Sequence, residues 1–423
     1  MAFGARTRQA GMVFILVTLF IDILGIGIII PVLPELIREF LGEGFTQASL
    51  YYGVILSTYA TMQFLWAPVL GALSDRYGRR PVILVSLFGL GTDYLIQGWA
   101  PSIGWLFLGR IIAGIMGSSI TTGFAYIADV STPETRAQNY GFVGAAFGLG
   151  FTLGPLLGGL LVHPALSGYL GLGRVSLRLP FFVAAGLALV NWLYGFFVLP
   201  ESLAPEHRST VSWRKMNPLE SLRRLRAYPL VAGLAAAFLF SSMAQRGLES
   251  VWVLHTGFRY GWEPVTNGLT LGLVGVMAML VQGLLIKPIV TRVGERRTIT
   301  LGMTASMVAF LAYGLASQGW MVPIVIVFGS LSGIALPAIQ GLVAGTVLPT
   351  EQGKIQGAFT SLTSLAAIFS PLIFTSGLFS FFTSAAAPVI LPGAPFFLGS
   401  LLFLVSLLLL VRLFRRLPAT PGA

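Results

Sequence analysis

The sequence predicts an all-α integral membrane protein with twelve transmembrane helices in two pseudo-symmetric six-helix bundles. Charged residues make up 10% of the 423 residues and hydrophobic residues 55%, whereas soluble domains carry about 25% charged residues. Apolar runs such as 180–199 are long enough to cross a bilayer as a helix and lack the alternating polarity of a membrane β-barrel. An Arg/Gly-rich loop at 71–81 has a partial echo at 287–297, which indicates two related halves.

Twelve apolar runs reach the length of a spanning helix. They lie near 11–37, 49–73, 81–99, 104–129, 136–162, 176–199, 228–250, 265–290, 297–317, 320–346, 354–380 and 390–413. One long polar stretch separates the sixth run from the seventh, and we expect an amphipathic helix in it near 218–226. The chain therefore divides into an N-terminal bundle at 1–199, a linker at 200–227 and a C-terminal bundle at 228–423.

Lys and Arg residues are concentrated at the two termini, in the linker and in the loops after even-numbered helices. The positive-inside rule then predicts that both termini and the linker are cytoplasmic, in a bacterial-type inner (plasma) membrane. The formal net charge of +11 is spread over short loops, so a nucleic-acid partner is not expected. The predicted partner along the spans is the lipid bilayer.

Cysteine is absent and histidine occurs three times. We expect His163, His207 and His255 to lie at or outside helix ends, so the sequence predicts no metal site and no cofactor. A membrane-embedded enzyme is an alternative class, but it requires a catalytic cluster within a span, and the sequence contains no such cluster. An internal duplication favours a transporter.

Charges within spans are costly and mark functional sites by default. They are Asp22 in the first predicted helix, Asp93 in the third, Arg110 in the fourth, and Arg246 with Glu249 in the seventh.

Asp93 and Arg110 flank a tight turn at nearly equal distances along the chain, so they are expected at the same depth of an antiparallel hairpin, where an ion pair is feasible. That pair either locks the hairpin or is broken by a proton or a substrate. Asp22 is expected near mid-membrane, as a proton carrier or as a hydrogen bonder between helices. Arg246 and Glu249 are one helical turn apart near the outer end of the seventh helix, as a local pair or a ligand site.

The loop at 71–81 places Asp75 at the end of a helix, where the helix dipole disfavours an anion. Asp75 therefore needs a partner, which is Arg76, Arg79 or Arg80 on its own loop or the N-terminus of another helix. Gly78 can adopt the positive φ of a tight turn.

The echo of this loop keeps Arg292, Gly294 and Arg296 but has Thr291 in place of Asp75. We therefore expect Asp75 to be a latch that contacts the start of the eleventh helix near Lys354. The alternative is a solvated loop that serves topology only.

The fifth predicted helix contains Gly150, Gly154, Pro155, Gly158 and Gly159. Glycines at this spacing permit close contact between helix backbones, and a proline removes one helical hydrogen bond. We expect a kinked helix at a tightly packed interface.

These motifs resemble the major facilitator superfamily. The loop at 71–81 is similar to the signature loop of that family, the Gly150–Gly159 motif is similar to that of its drug:H⁺ antiporters, and Leu106–Gly114 is similar to its fourth-helix arginine motif. The stretches 20–27, 93–95, 251–253 and 333–341 are most similar to the tetracycline/H⁺ antiporters.

The resemblance implies that Asp22, Asp93 and Arg110 serve proton coupling and substrate, that Gln63 faces a polar cavity, and that the loop with Asp75 acts as a gate. The chain departs from the subgroup at Thr304, where those exporters carry an acid, and at Ala278, where they carry a histidine. It also has charges at Arg246 and Glu249 where uncharged residues are expected.

The sequence therefore predicts proton-coupled efflux of small amphiphilic compounds by alternating access. A proton gradient drives the exchange, and the protein works as a monomer without a cofactor. The alternative function is a proton symporter or a lipid or nutrient transporter of the same fold.

Overall fold

The computed structural model describes residues 2–42, 44–118, 120–169, 177–208, 229–335, 338–339, 342 and 352–415. The regular segments in these residues are helical. The α-helices are α1 Ala2–Ile29, α2 Leu33–Leu41, α3 Phe45–Tyr77, α4 Arg79–Gly98, α5 Ile103–Gly117, α6 Ile120–Val130, α7 Pro133–Leu161, α8 Pro164–Tyr169, α9 Leu179–Val198, α10 Pro229–Tyr260, α11 Pro264–Leu280, α12 Ile286–Val293, α13 Glu295–Leu315, α14 Met321–Gly329, α15 Gln352–Ser370, α16 Ser380–Phe382 and α17 Ala394–Arg415. Short π-helical segments join α11 to α12 and α15 to α16.

Eleven helical segments among the described residues are long and apolar enough to cross a membrane. They correspond to all the predicted spans except the tenth. The tenth prediction, 320–346, begins with the shorter apolar helix Met321–Ile334, and most of its remainder lies outside the described residues. The predicted all-α membrane fold is confirmed.

Two predicted helix ends were wrong, and each has a local cause. The first helix was predicted to run to residue 37, but α1 ends at Ile29 and α2 begins at Leu33. Pro31 lies in the break, and a proline disfavours helical backbone at the residue before it. The seventh helix was predicted to end at 250, but α10 continues to Tyr260 because buried apolar residues follow its charges.

The longer α10 changes the position of three residues. Arg246 and Glu249 lie in the middle of the span Val231–Tyr260 rather than near its outer end. His255, which was expected at or outside a helix end, lies inside the helix with 2% of its surface exposed. Its Nδ1 is 2.9 Å from the carbonyl oxygen of Pro392.

The chain forms two compact units. One comprises Met1–Gly42, Thr58–Asn217 and Glu263–Gly272, and the other comprises Glu43–Ser57, Pro218–Trp262 and Leu273–Ala423. The division into bundles at 1–199 and 228–423 stays a prediction. The amphipathic helix expected near 218–226 lies outside the described residues.

In the first unit, the glycine motif of α7 packs directly on the backbone of α1. A methyl group on Gly150 would lie 3.0 Å from Ile23 Cβ, and one on Gly154 would lie 2.7 Å from Gly27 Cα. A methyl group on Gly158 would overlap the carbonyl oxygen of Ile28. This contact fixes the part of α1 that carries Asp22.

The last two members of the motif lie beside the start of α11. A methyl group on Gly159 would lie 2.6 Å from the carbonyl oxygen of Pro264. Pro155 lies inside α7, which continues through it. The tight packing predicted for this helix is confirmed, whereas the predicted kink stays a prediction.

We expect Gly158→Ala to lower the free energy of unfolding by about 1–3 kcal/mol, because the added methyl group meets backbone that has no free space. The matched control is Gly141→Ala on the same helix, since a methyl group there has nothing within 4 Å. Thermal unfolding of the purified variants in detergent measures the difference. Equal stability of the two variants would contradict the packing argument.

Candidate functional site

Asp93 on α4 and Arg110 on α5 face each other across the antiparallel hairpin, as their sequence positions predicted. Arg110 Nη2 lies 3.6 Å from Asp93 Oδ2. Asp93 is fully buried and Arg110 is 7% exposed. The distance is that of an ion pair but exceeds the usual length of an N–H···O hydrogen bond, so the two charges attract each other without being locked together.

Two further side chains contact this pair. The amide Nε2 of Gln97 donates a hydrogen bond of 2.6 Å to Asp93 Oδ2. The Arg110 guanidinium lies 5.7 Å from the centre of the Tyr59 ring, within the range of a cation–π interaction. The positive charge therefore has both a carboxylate and an aromatic face beside it.

Asp22 shares a small enclosed cavity with Arg110. The polar lining of this cavity also includes Tyr59 and Tyr94, and Asp22 itself is 7% exposed. Its volume of about 10 Å³ is on the scale of a single water molecule. The cavity is therefore too small for a drug-sized molecule in this conformation.

Gln63 lies one helical turn from Tyr59 on α3. Its side-chain Nε2 is 3.5 Å from Tyr59 Oη, and its backbone carbonyl oxygen accepts a hydrogen bond from Ser118 Oγ at 3.2 Å. Gln63 thus supports the ring that faces Arg110 and does not itself line the Asp22 cavity.

The loop after α3 is organised around the guanidinium of Arg79, which is 8% exposed. Its Nη1 donates to Asp75 Oδ1 and to Ser74 Oγ, and its Nε donates to Asp129 Oδ2 at 3.1 Å. Asp75 therefore has the loop partner that the sequence required. The expected contact of Asp75 with Lys354 stays a prediction, because the Lys354 side chain lies outside the described part of the chain.

Glu201, which follows α9, occupies the N-terminus of α4. Its carboxylate accepts the backbone N–H of Arg79 at 2.8 Å and that of Arg80 at 3.2 Å. These N–H groups have no partner within their own helix, and the helix dipole favours an anion there. We call Asp75, Arg79, Asp129 and Glu201 the loop charge cluster.

The other loop residues have separate partners. Arg76 lies over the Tyr77 ring at 5.1 Å, and Arg80 Nη2 donates to the carbonyl oxygen of Phe196 at 2.7 Å. Gly78 has φ +106°, which confirms the predicted turn. In the echo of this loop Gly294 has φ +84° and also precedes a helix, so the two loops share a backbone shape.

Arg246 and Glu249 form a local pair in the second unit. Arg246 Nη1 lies 2.8 Å from Glu249 Oε2, and the side chains are 44% and 35% exposed. Ser241, Ser242 and Gln245 fall on the same helical face as this pair, at spacings of one and two turns. A charged stripe in the middle of a span is expected to face an aqueous path rather than lipid.

Sequence reasoning missed three polar residues of the site. Gln97 follows Asp93 by four positions, which places both on one face of a helix. Asp129 and Glu201 lie at the ends of the fourth and sixth spans, where an acid near an Arg-rich loop is a usable signal. Among the described residues, no group of three His, Asp or Glu side chains is placed to hold a metal ion.

Comparison with known proteins places these features in a family. The model of the Major Facilitator Superfamily matches residues 15–371. The chain is 38% identical to the class C tetracycline resistance protein of Escherichia coli, over 94% of this chain and 95% of that protein. It is 36% identical to the class E protein of Escherichia coli, over 93% of each. The crystal structure of a human organic anion transporter matches with a TM-score of 0.69 and 25% identity, over 95% of this chain and 99% of that one.

We expect Glu201→Gln to lower the free energy of unfolding by about 1 kcal/mol, because the carboxylate loses its charge at the N-terminus of α4. Glu206→Gln is the matched control, since Glu206 is exposed and lies in the same post-α9 segment. Thermal unfolding in detergent at low and high salt checks this. An effect of Glu201→Gln no larger than that of the control would contradict it.

Proposed function

The chain belongs to the Major Facilitator Superfamily, and we propose that it exports small amphiphilic compounds in exchange for protons. The observation that carries the proposal is the meeting of Asp22, Asp93 and Arg110 in one buried region of the first unit. Buried charges are retained in membrane spans where they serve a proton or substrate path.

In the proposed cycle a proton from outside binds the carboxylate of Asp22 or Asp93. Protonation of Asp93 removes its attraction for Arg110, so that the guanidinium is free to turn and the bound substrate is released outward. The proton then leaves toward the cytoplasm. One charge moving through about 100 mV supplies about 2.3 kcal/mol, which sustains roughly a 50-fold concentration gradient of substrate.

Tetracycline is the first compound to test as substrate, since relatives at 38% and 36% identity are tetracycline resistance proteins. The substrate site we propose includes the stripe of Arg246 and Glu249 on α10. Thr304 stands at the position where the resemblance implies an acid. Its hydroxyl donates a hydrogen bond of 2.9 Å to the backbone carbonyl oxygen of Thr300. We therefore infer a substrate range of amphiphilic compounds that includes more than tetracycline.

The loop charge cluster is the proposed gate. Arg79, at the start of α4, is paired with Asp75 at the end of α3 and with Asp129 at the end of α6. A movement of one of these helix ends therefore displaces the other two. By the distribution of Lys and Arg we place this cluster and both termini on the cytoplasmic side. The protein is proposed to act as a monomer in a bacterial inner membrane, with the proton gradient as its energy source and no cofactor.

The test is tetracycline uptake into proteoliposomes with and without an imposed pH gradient. We expect the gradient to raise uptake severalfold, and we expect Asp22→Asn to abolish that increase because the side chain can no longer exchange a proton. Glu206→Gln is the control and should behave as the wild type. Uptake that is indifferent to the gradient and unchanged by Asp22→Asn would contradict proton coupling.

A further inference from the structure

We propose that Gln97 is a positioning residue that holds Asp93 apart from Arg110 and thereby sets the pH at which exchange proceeds. The inference rests on the proposed function, and it assigns a role to a residue that makes no predicted contact with substrate. Gln97 is fully buried and lies one helical turn after Asp93 on α4.

Gln97 and Arg110 reach the same oxygen atom of Asp93. Gln97 Nε2 lies 2.6 Å from Asp93 Oδ2, whereas Arg110 Nη2 lies 3.6 Å from it. The neutral amide therefore makes the hydrogen bond, and the guanidinium remains at the longer distance. This order is unusual, because a guanidinium and a carboxylate in contact commonly form two parallel hydrogen bonds.

The remaining atoms show that the charged pair has not closed. Asp93 Oδ1 and the Nε and Nη2 atoms of Arg110 are buried without a hydrogen-bond partner. If Arg110 moved about 0.7 Å closer, its Nη2 would come within hydrogen-bond distance of Asp93 Oδ2. Because Gln97 already occupies Oδ2, Arg110 gains less from closing, and it stays available for another anion.

The packing of α5 confines Gln97 to this position. A methyl group on Gly109 would lie 2.6 Å from Asp93 Oδ1 and also 2.6 Å from Gln97 Cγ. The backbone of α5 thus lies directly against both side chains. Gln97 has little room for another rotamer, so its amide remains beside the carboxyl group while Arg110 moves.

An amide is suited to both protonation states of Asp93. Its N–H₂ donates to the carboxylate, and its oxygen, which has no partner here, accepts a hydrogen bond from the carboxylic acid. A methionine or leucine of similar size offers neither group. Gln97 therefore keeps a buried partner for Asp93 during the part of the cycle in which Arg110 is absent.

Other charged and titratable groups face this region and remain in place in the variants proposed below. They are Arg110 from α5, Asp22 from α1, Tyr59 from α3, Tyr94 on α4 itself, and Arg178 before α9, which donates to the carbonyl oxygen of Ala100 at 2.9 Å. Asp129 on α6 lies at the opposite end of α4, where it is hydrogen-bonded to Arg79. The side chains of α9 that pack near this part of α4 are Leu189 and Phe182, which carry no charge.

The test is the pH profile of tetracycline counterflow in proteoliposomes with equal pH on both sides. We expect Gln97→Met to move the midpoint of the profile toward alkaline pH by about one unit, because the carboxylate loses a charge-assisted hydrogen bond. Gln97→Glu should move it at least as far, since two adjacent carboxyl groups hold a shared proton. Gln138→Met, at an exposed position on α7, is the matched control and should keep the wild-type midpoint.

A purely structural role for Gln97 leads to a different result. Both variants would then give less folded protein or a lower maximal rate at an unchanged midpoint, and that result would overturn the inference. If Gln97→Glu folds and Gln97→Met does not, the midpoint of Gln97→Glu alone tests the inference. An alkaline shift supports the inference, and an unchanged midpoint overturns it. If neither variant folds, a structural role is sufficient and the inference fails. A flat wild-type profile would contradict the proposed function itself, and the inference with it.

Discussion

The buried attraction between Asp93 and Arg110 is the interaction on which the rest of the site depends. Removing either charge from water is costly, and each repays that cost only beside an opposite charge. The pair forms because α4 and α5 are an antiparallel hairpin that brings the two residues to one depth. The pair remains open at 3.6 Å, and Gln97 makes the shorter contact, of 2.6 Å, with the same oxygen of Asp93.

Close helix packing positions the third charged residue, Asp22. The glycines of α7 let its backbone approach α1 on either side of Gly27, and this fixes the segment that carries Asp22. The same residue then lines a cavity with Arg110. A protein whose spans have few charges thus brings three of them together in one buried region of the first unit.

The two Arg/Gly loops share a backbone turn but differ in their charged residues. Both loops place a glycine of positive φ before a helix, so the turn is common to them. The charged residues at the centre of the loop charge cluster are not repeated, because Thr291 and Glu295 stand in the second loop where the first has Asp75 and Arg79. A methyl group on Gly78 would also overlap Glu201, whereas nothing lies within 4 Å of the corresponding position on Gly294. The two loops therefore differ in their charges although the backbone turn is repeated.

Hydropathy and charge placement were sufficient to predict the fold class and the Asp93–Arg110 contact, since both follow from length along the chain. Helix ends were less predictable: Pro31 stopped α1 early, and buried residues beyond Glu249 extended α10. Glu201 and Asp129 were missed because their partners are distant in sequence. Gln97 was missed because a neutral amide in a span carries no charge signal, although its spacing from Asp93 was visible.

The central claim of the proposed function is that substrate is exchanged for a proton carried by Asp22 or Asp93. Proton release on tetracycline binding tests it most directly, measured with a pH indicator in weakly buffered detergent solution containing purified protein. The account predicts release of about one proton per bound tetracycline, and no release from the double variant Asp22→Asn, Asp93→Asn. Tetracycline binding without proton release by the wild-type protein, at any pH between about 6 and 8, would contradict it.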